Sequence, residues 1–330
     1  MTSRAGTGIR DSLLREEVSR QLDLVEELLR DAVQGEDEFV TAAARHLADA
    51  GGKRFRPLLT VLAAYLGQPD APEVSIAAVV VELTHLATLY HDDVMDEATR
   101  RRGTDSANAR WDNSVAILAG DYLFARASDL VAGLGPEAVR IQARTFQRLV
   151  TGQIRETIGS ADGEDPVEHH LDVLADKTGS LIATAGRFGA MFGGCNPEVI
   201  STMESFGEQI GVAFQLADDL VDIGDQPGVT GKTPGTDLRE GVLTMPALLV
   251  LRSDQPGDAR LRELLSRPIP DDEEHAEALE LLRAHAAVAQ ARDIARGWAD
   301  DARRTLEPLP SGPVRQALVD LCDYVVTRSG

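Results

Sequence analysis

Apolar residues recur at spacings of three and four along almost the whole chain. Between Leu13 and Val33 they fall at Leu22, Val25, Leu28 and Leu29, one face of a helix. The same period marks 37–50, 57–66, 73–98, 114–133, 136–160, 167–193, 197–223, 240–252, 258–265, 272–307 and 312–327. Each is expected to be helical. No apolar–polar alternation persists long enough to predict a strand. Glycine and proline punctuate the intervals, at Gly67-Gln68-Pro69, Gly133-Leu134-Gly135-Pro136, Gly193-Gly194-Cys195-Asn196-Pro197 and Pro268-Ile269-Pro270. Gly224 to Gly241 is glycine-rich and charged with little periodicity, a candidate mobile lid, and 253–275 reads as an acidic surface connection. The expected fold is all-α, one domain over 1–330 with ten or more helices.

Charge narrows the function. Of 330 residues, 33 are basic and 54 acidic, a net charge of −21, which argues against nucleic-acid binding by the surface as a whole. Cys195 and Cys322 lack metal-ligand spacing and read as reduced, packed thiols of a cytoplasmic protein. The mixed charges from Arg10 to Glu27 do not form a signal peptide. No run reaches about 18 uninterrupted apolar residues, so no transmembrane segment is expected. Lysine is nearly avoided: Lys53, Lys177 and Lys232 are the three in the chain, and each stands in a glycine- or threonine-containing string. A lysine is a compact point charge with three donors, suited to phosphate.

Two acidic boxes spell the same pattern, Asp92-Asp93-Val94-Met95-Asp96 and Asp218-Asp219-Leu220-Val221-Asp222. Each follows a strongly apolar helical stretch. Residues i and i+4 share a helix face with Cβ atoms roughly 5–6 Å apart, so Asp92 with Asp96, and Asp218 with Asp222, each form a two-carboxylate claw. Such density is costly unless a cation compensates it, and Mg²⁺ is commonly held by one or two carboxylates plus substrate phosphates. Two facing claws point to a Mg²⁺-bridged diphosphate held from both sides. His85 lies two turns before Asp92 on nearly the same stripe, a candidate phosphate contact. His91 is rotated about 100° from Asp92 and reads as structural. Arg100-Arg101-Arg102-Gly103 follows the first box, and Gly51-Gly52-Lys53-Arg54-Phe55-Arg56-Pro57 sets three cations and a tight turn before a helix. Glycine admits close backbone approach and a helix N-terminus favours an anion, which suggests a second diphosphate site.

From about residue 40 to 250 the chain resembles the trans-isoprenyl diphosphate synthases, the family of farnesyl, geranylgeranyl and longer polyprenyl diphosphate synthases. The strings that carry the resemblance are GGKRFRP, HLATLYHDDVMDEATRRRG, GQIRE, DKTGSLI, FQLADDLVDIGD and GKTPGTDLREG. It implies an isoprenoid synthase fold around a deep central cavity, and a head-to-tail condensation of isopentenyl diphosphate with an allylic diphosphate. It also implies three Mg²⁺ per active site and a homodimer. Asp92 and Asp96 would bind Mg²⁺ on the allylic diphosphate, supported by Asp93. Asp218 would hold a further ion, with Asp219 and Asp222 acting through water. Arg101, Lys177 and Lys232 would hold the allylic diphosphate, with Gln215 and Thr178 near the reacting carbons. Lys53, Arg56, His85 and Arg102 would hold the diphosphate of isopentenyl diphosphate. Two departures stand out: Val242 where many relatives carry lysine, and Glu156 where many carry aspartate.

In this family the product grows down a tunnel beside the helix of the first box, closed in short-chain enzymes by bulky residues four or five positions before it. Here those positions are Thr88 and Ala87, with Thr84, Leu83 and Val80 beyond. The resemblance implies a long product, about seven to ten isoprene units (C35–C50), because no aromatic residue stands between Val74 and Leu89 to block the tunnel. Phe146, Met191 or Phe192 on other helices are alternative floors, giving C20–C25. A class I terpene cyclase fits poorly, because the second box and GGKRFRP are intact. A non-catalytic subunit of a heteromeric synthase typically lacks a box that this chain keeps.

Overall fold

The computed structural model describes residues 9–224, 234–253 and 255–327, and these are almost entirely helical. The elements are α1 (Ser12–Ala32), α2 (Glu38–Asp49), α3 (Phe55–Ala64), α4 (Pro72–Met95), β1 (Arg100–Arg101), β2 (Thr104–Asp105), α5 (Ala107–Arg110), α6 (Asn113–Gly133), α7 (Pro136–Ile158), α8 (Pro166–Leu174), a π-helical turn (Ala175–Gly179), α9 (Ser180–Phe192) and α10 (Pro197–Ile223). After the second box come α11 (Thr236–Glu240), α12 (Met245–Leu251), a 3₁₀ turn (Pro256–Asp258), α13 (Ala259–Leu265), α14 (Asp272–Ala284), α15 (Ala286–Thr305) and α16 (Pro313–Thr327). They group into two compact units. The first is Met1–Gln147, Leu181–Gly207 and Leu306–Asp320; the second is Arg148–Ser180, Glu208–Thr305 and Leu321–Gly330.

Helix α4 is the centre of the first unit. Pro72 starts it, where a missing N–H costs nothing. It is apolar nearly all round, as a helix surrounded by protein must be; by length and composition it matches a membrane span, but 78% of its apolar window is buried inside the structure. Val79, Leu83, Leu86, Ala87 and Tyr90 pack with Val25 and Leu29 of α1, Leu47 of α2 and Leu123 of α6. Burying Tyr90 requires partners for its hydroxyl. It donates to the Ala43 carbonyl at 2.5 Å and accepts from the Leu47 amide at 3.2 Å. Helix α6 approaches α4 through Gly120, where a Cβ would stand 2.4 Å from His91 Nε2 and 3.1 Å from the Ala87 carbonyl oxygen.

The second unit buries two clusters. Leu216 and Leu220 of α10 pack with Val167 and Leu174 of α8, Met245 and Leu248 of α12, and Ala291 and Ala295 of α15. Ile223, Leu238, Val250, Leu264, Ala278 and Leu282 form the other.

Three helices expected to be continuous are interrupted. The run 167–193 carries the π-helical turn, which holds the Asp176-Lys177-Thr178-Gly179 string; π-type turns concentrate at functional sites. The run 272–307 breaks at His285, whose backbone is extended and whose Nδ1 accepts from the Ala287 amide, so an imidazole caps α15. The run 240–252 is divided by Gly241, which takes φ 78° and ends α11. A short hairpin was also unexpected: β1 and β2 pair antiparallel around Arg102-Gly103.

Candidate active site

In the first unit, helical geometry persists through the first box: the Asp96 amide donates to the Asp92 carbonyl at 2.8 Å. Asp92 and Asp96 therefore share the expected face. Asp96 is half-exposed, whereas Asp93 turns inward and is fully buried. Its Oδ1 accepts from Arg101 Nε at 2.6 Å, and its carbonyl accepts from Asn108 Nδ2 and the Ala98 amide. Burial raises the Asp93 carboxyl above its ordinary range, against the pull of Arg101. Arg101, expected on a substrate diphosphate, lies on the box itself, with Nη2 3.9 Å from Asp96.

The hairpin turn explains the arginine string. Arg102 (φ 51°) and Gly103 (φ 79°) are both left-handed, the signature of a two-residue type I′ turn. The turn sends the two side chains apart: Arg101, the last residue of β1, meets the aspartates, while Arg102, the first residue of the turn, meets the Gly51-Gly52 segment. Arg102 Nη1 donates to the Leu47 carbonyl at 3.0 Å and to that of Gly51. At Gly52 (φ 145°) a Cβ would stand 2.9 Å from Arg102 Cζ, so the guanidinium requires glycine there.

Behind this turn lies a charge cluster that the sequence did not reveal. Glu82 of α4 is 2% exposed and accepts from Arg54 Nη1 at 2.9 Å, with Arg102 Nη2 at 3.9 Å. Glu26 of α1 takes Arg54 Nε at 2.5 Å. Arg54 also sits at φ 51°, a cost tolerated because these contacts fix it. Thus Arg54 is structural, while Arg56 keeps a buried Nε with no hydrogen-bond partner among the described residues. Burial, with the charge of Arg102, pushes Arg56 down to about 10 despite Glu82. His85 is held well below its ordinary value by burial and then by Arg56, Arg102, Arg54 and Arg101, so it is neutral near pH 7. Positive charge is in excess here, as an anion site requires. Lys53 is exposed at the edge of the same turn. One signal for Glu82 was present: a lone carboxylate inside the apolar run from Val79 to Thr84.

The chain-length positions are buried. Thr88 Oγ1 donates to the His85 carbonyl, and Thr84 Oγ1 donates to Val80 and accepts from Gln142 Nε2 at 2.5 Å. The Phe124 and Phe146 rings stack tilted with centroids 4.3 Å apart. Gln142 and Phe124 carried no sequence signal.

In the second unit, Gln215, Asp219 and Asp222 lie on successive turns of α10. Gln215 Nε2 donates to Asp219 Oδ1 at 3.2 Å, and Thr178 Oγ1 donates to Gln215 Oε1 at 3.4 Å. Lys177 Nζ pairs with Glu156 at 2.5 Å. The glycine of GQIRE is what brings α7 so near: a Cβ on Gly152 would stand 2.6 Å from the Lys177 amide nitrogen. Arg148 secures the π turn through Asp176, and reaches Glu208, both at 2.9 Å. Asp222 accepts from the Asp237 amide through Oδ2 at 3.3 Å, and its carbonyl accepts from Gly235 at 2.8 Å. Lys232 and most of the expected lid, residues 225–233, lie outside the described residues. Val242 is exposed.

Among the described residues no group of three or more His, Cys, Asp or Glu side chains forms a closed metal cage. Pairs of carboxylates on one helix face are instead the donor set that suits Mg²⁺ shared with substrate phosphates.

A family model described as polyprenyl synthetase matches residues 37–282. Nonaprenyl diphosphate synthase of Mycobacterium tuberculosis is 52% identical over 99% of this chain and 98% of its own length. The structure of geranylgeranyl pyrophosphate synthase from Corynebacterium glutamicum, complexed with calcium and isoprenyl diphosphate, superposes with a TM-score of 0.88 at 47% identity, covering 98% of this chain and 99% of the other. A polyprenyl synthase from Caulobacter crescentus CB15, also complexed with calcium and isoprenyl diphosphate, superposes at 0.89 with 33% identity over the full length of both.

Proposed function

The chain belongs to the polyprenyl synthetase family, and we propose that it condenses isopentenyl diphosphate head-to-tail (1′-4) with an allylic diphosphate to give a long all-trans polyprenyl diphosphate. It is a prenyltransferase. The observation that carries the assignment is the hairpin of the first unit. It sets Arg101 on the aspartate box and Arg102 on the glycine turn beside Arg56, so adjacent residues serve two diphosphates.

The residues divide as follows. Asp92 and Asp96, and Asp218 and Asp222, hold Mg²⁺, three ions per active site. Bound Mg²⁺ supplies Lewis-acid stabilisation of the departing diphosphate. Arg101, Lys177 and Lys232 stabilise the negative charge that develops as the allylic C–O bond ionises. Lys177 and Arg101 are preorganised by Glu156 and Asp93, so little reordering is needed when the diphosphate arrives. Lys53, Arg56 and Arg102 hold isopentenyl diphosphate; neutral His85 donates one hydrogen bond without adding to the repulsion among the arginines. Gln215 and Thr178 present oriented dipoles to the carbocation in a pocket that excludes water. The alkene attacks, and the proton leaves to the released diphosphate. The unit of action is one all-helical domain over 1–330, working as a cytoplasmic homodimer.

Small residues at Ala87, Thr88 and Thr84 favour a product of C35–C50, in keeping with the similarity to a nonaprenyl diphosphate synthase. Two contacts favour a shorter C20–C25 product: the Gln142–Thr84 bond and the Phe124–Phe146 pair bridge helices beside the chain-length positions. The test is incubation with Mg²⁺, farnesyl diphosphate and radiolabelled isopentenyl diphosphate, with dephosphorylated products resolved by length. Products of C35 or longer support the long-chain reading. A stop at C20–C25 moves the floor to Gln142 and Phe124, and no elongation refutes the assignment.

A further inference from the structure

In the second unit two buried polar atoms, each without a hydrogen-bond partner among the described residues, face one another. They are Nε2 of His170 and Oδ2 of Asp219, 3.4 Å apart, on side chains 14% and 7% exposed. Leaving either alone in the interior would cost free energy. An ionised carboxylate can only accept, so the contact requires the proton on His170 Nε2. The other Asp219 oxygen is also engaged, by Gln215 Nε2 at 3.2 Å. Gln215 in turn accepts from Thr178 at 3.4 Å, so its amide is oriented from both ends. The contacts form one string from α8 through α10 to the π turn: His170, Asp219, Gln215, Thr178.

The first box offers a parallel. Its middle aspartate, Asp93, also turns inward, and its carboxylate accepts from Arg101. The neighbouring His169 does not share the role; rotated about 100° on the helix, it meets Glu164 and the Arg155 carbonyl.

We propose that His170 is a positioning residue for the second box: it fixes the Asp219 carboxylate so that both oxygens serve the protein. Asp219 then orders Gln215 and Thr178 and leaves Asp218 and Asp222 as the metal-side carboxylates. The proposal rests on the reading of that box as a Mg²⁺–diphosphate site. Partners that orient ligands from behind are typically worth about 10–100-fold in metal affinity or activity.

The test uses the full chain with His170→Phe, which keeps the bulk and removes the donor, and His170→Gln, which restores an N–H at the same reach. Two readouts are taken: the dissociation constant of inorganic diphosphate at fixed Mg²⁺ by calorimetry, and kcat and KM for condensation. His170→Phe is expected to weaken diphosphate binding and lower kcat by about tenfold each, with KM for isopentenyl diphosphate unchanged. His170→Gln is expected to recover most of both, and in an Asp219→Asn background His170→Phe adds less than about twofold, because coupled residues are not additive. Thermal unfolding checks integrity, and His170→Leu replaces the phenylalanine variant if that one unfolds. Wild-type diphosphate binding with His170→Phe, failure of His170→Gln to recover, or fully additive losses would each overturn the proposal. If the wild type binds diphosphate with Mg²⁺ but condenses nothing, the functional reading fails while the calorimetric arm still decides the role of His170.

Discussion

Replacing Glu82 by glutamine removes one buried negative charge and little volume. With an effective dielectric of about 20, the attraction to Arg54 at 2.9 Å is about 6 kcal/mol and to Arg102 at 3.9 Å about 4 kcal/mol. Most of this is offset, because the buried carboxylate no longer has to be desolvated. Arg54 also keeps Glu26 at 2.5 Å and the Ala48 carbonyl at 2.9 Å. The expected loss is therefore about 3 kcal/mol, the low end for breaking a buried ion pair. Glu26→Gln should cost less, since that side chain is 19% exposed against 2% for Glu82. Urea unfolding followed by circular dichroism measures both variants against wild type, with a lower midpoint and unchanged slope expected. A loss below about 1 kcal/mol for Glu82→Gln, or a larger loss for Glu26→Gln, would refute the view that Glu82 anchors the arginine cluster.

Three further outcomes are expected. His85 resists protonation in the folded state, so below about pH 6.5 the unfolded chain binds a proton that the folded chain does not, and stability falls with pH by up to about 1.4 kcal/mol per unit; urea midpoints between pH 7 and pH 5 should fall less steeply in His85→Gln, and equal slopes would contradict this. Gly152→Ala forces a Cβ to within 2.6 Å of the Lys177 amide nitrogen, which should cost about 1–3 kcal/mol and lower kcat with KM for isopentenyl diphosphate unchanged; wild-type stability and rate would show that α7 can move away freely. Thr88→Phe should shorten the product ladder, and an unaltered ladder would place the growing tail elsewhere.

Local periodicity was enough to declare an all-helical protein, because a helix records its buried face every three to four residues. The twin boxes and their i, i+4 claws were legible for the same reason, and the three lysines stood out against an arginine-rich background. Breaks within helices were less visible. The π turn at Ala175–Gly179 and the His285 cap leave the apolar period almost undisturbed, so they appeared as single long helices.

Tertiary structure decided which charges are free for chemistry. In the sequence Arg54 and Arg56 are two similar cations; only the fold shows Arg54 satisfied by Glu82, 28 residues away, and Arg56 with a buried Nε that has no hydrogen-bond partner among the described residues. Likewise Asp93 and Asp219 look equivalent to their neighbours in each box, yet both are turned inward, onto Arg101 and His170. Gln142 meets Thr84 across 58 residues, and nothing local marks it. A helix face is set by nearest neighbours along the chain. The partner of a buried charge is set by which elements pack together, and each wrong pairing would leave a group desolvated without compensation.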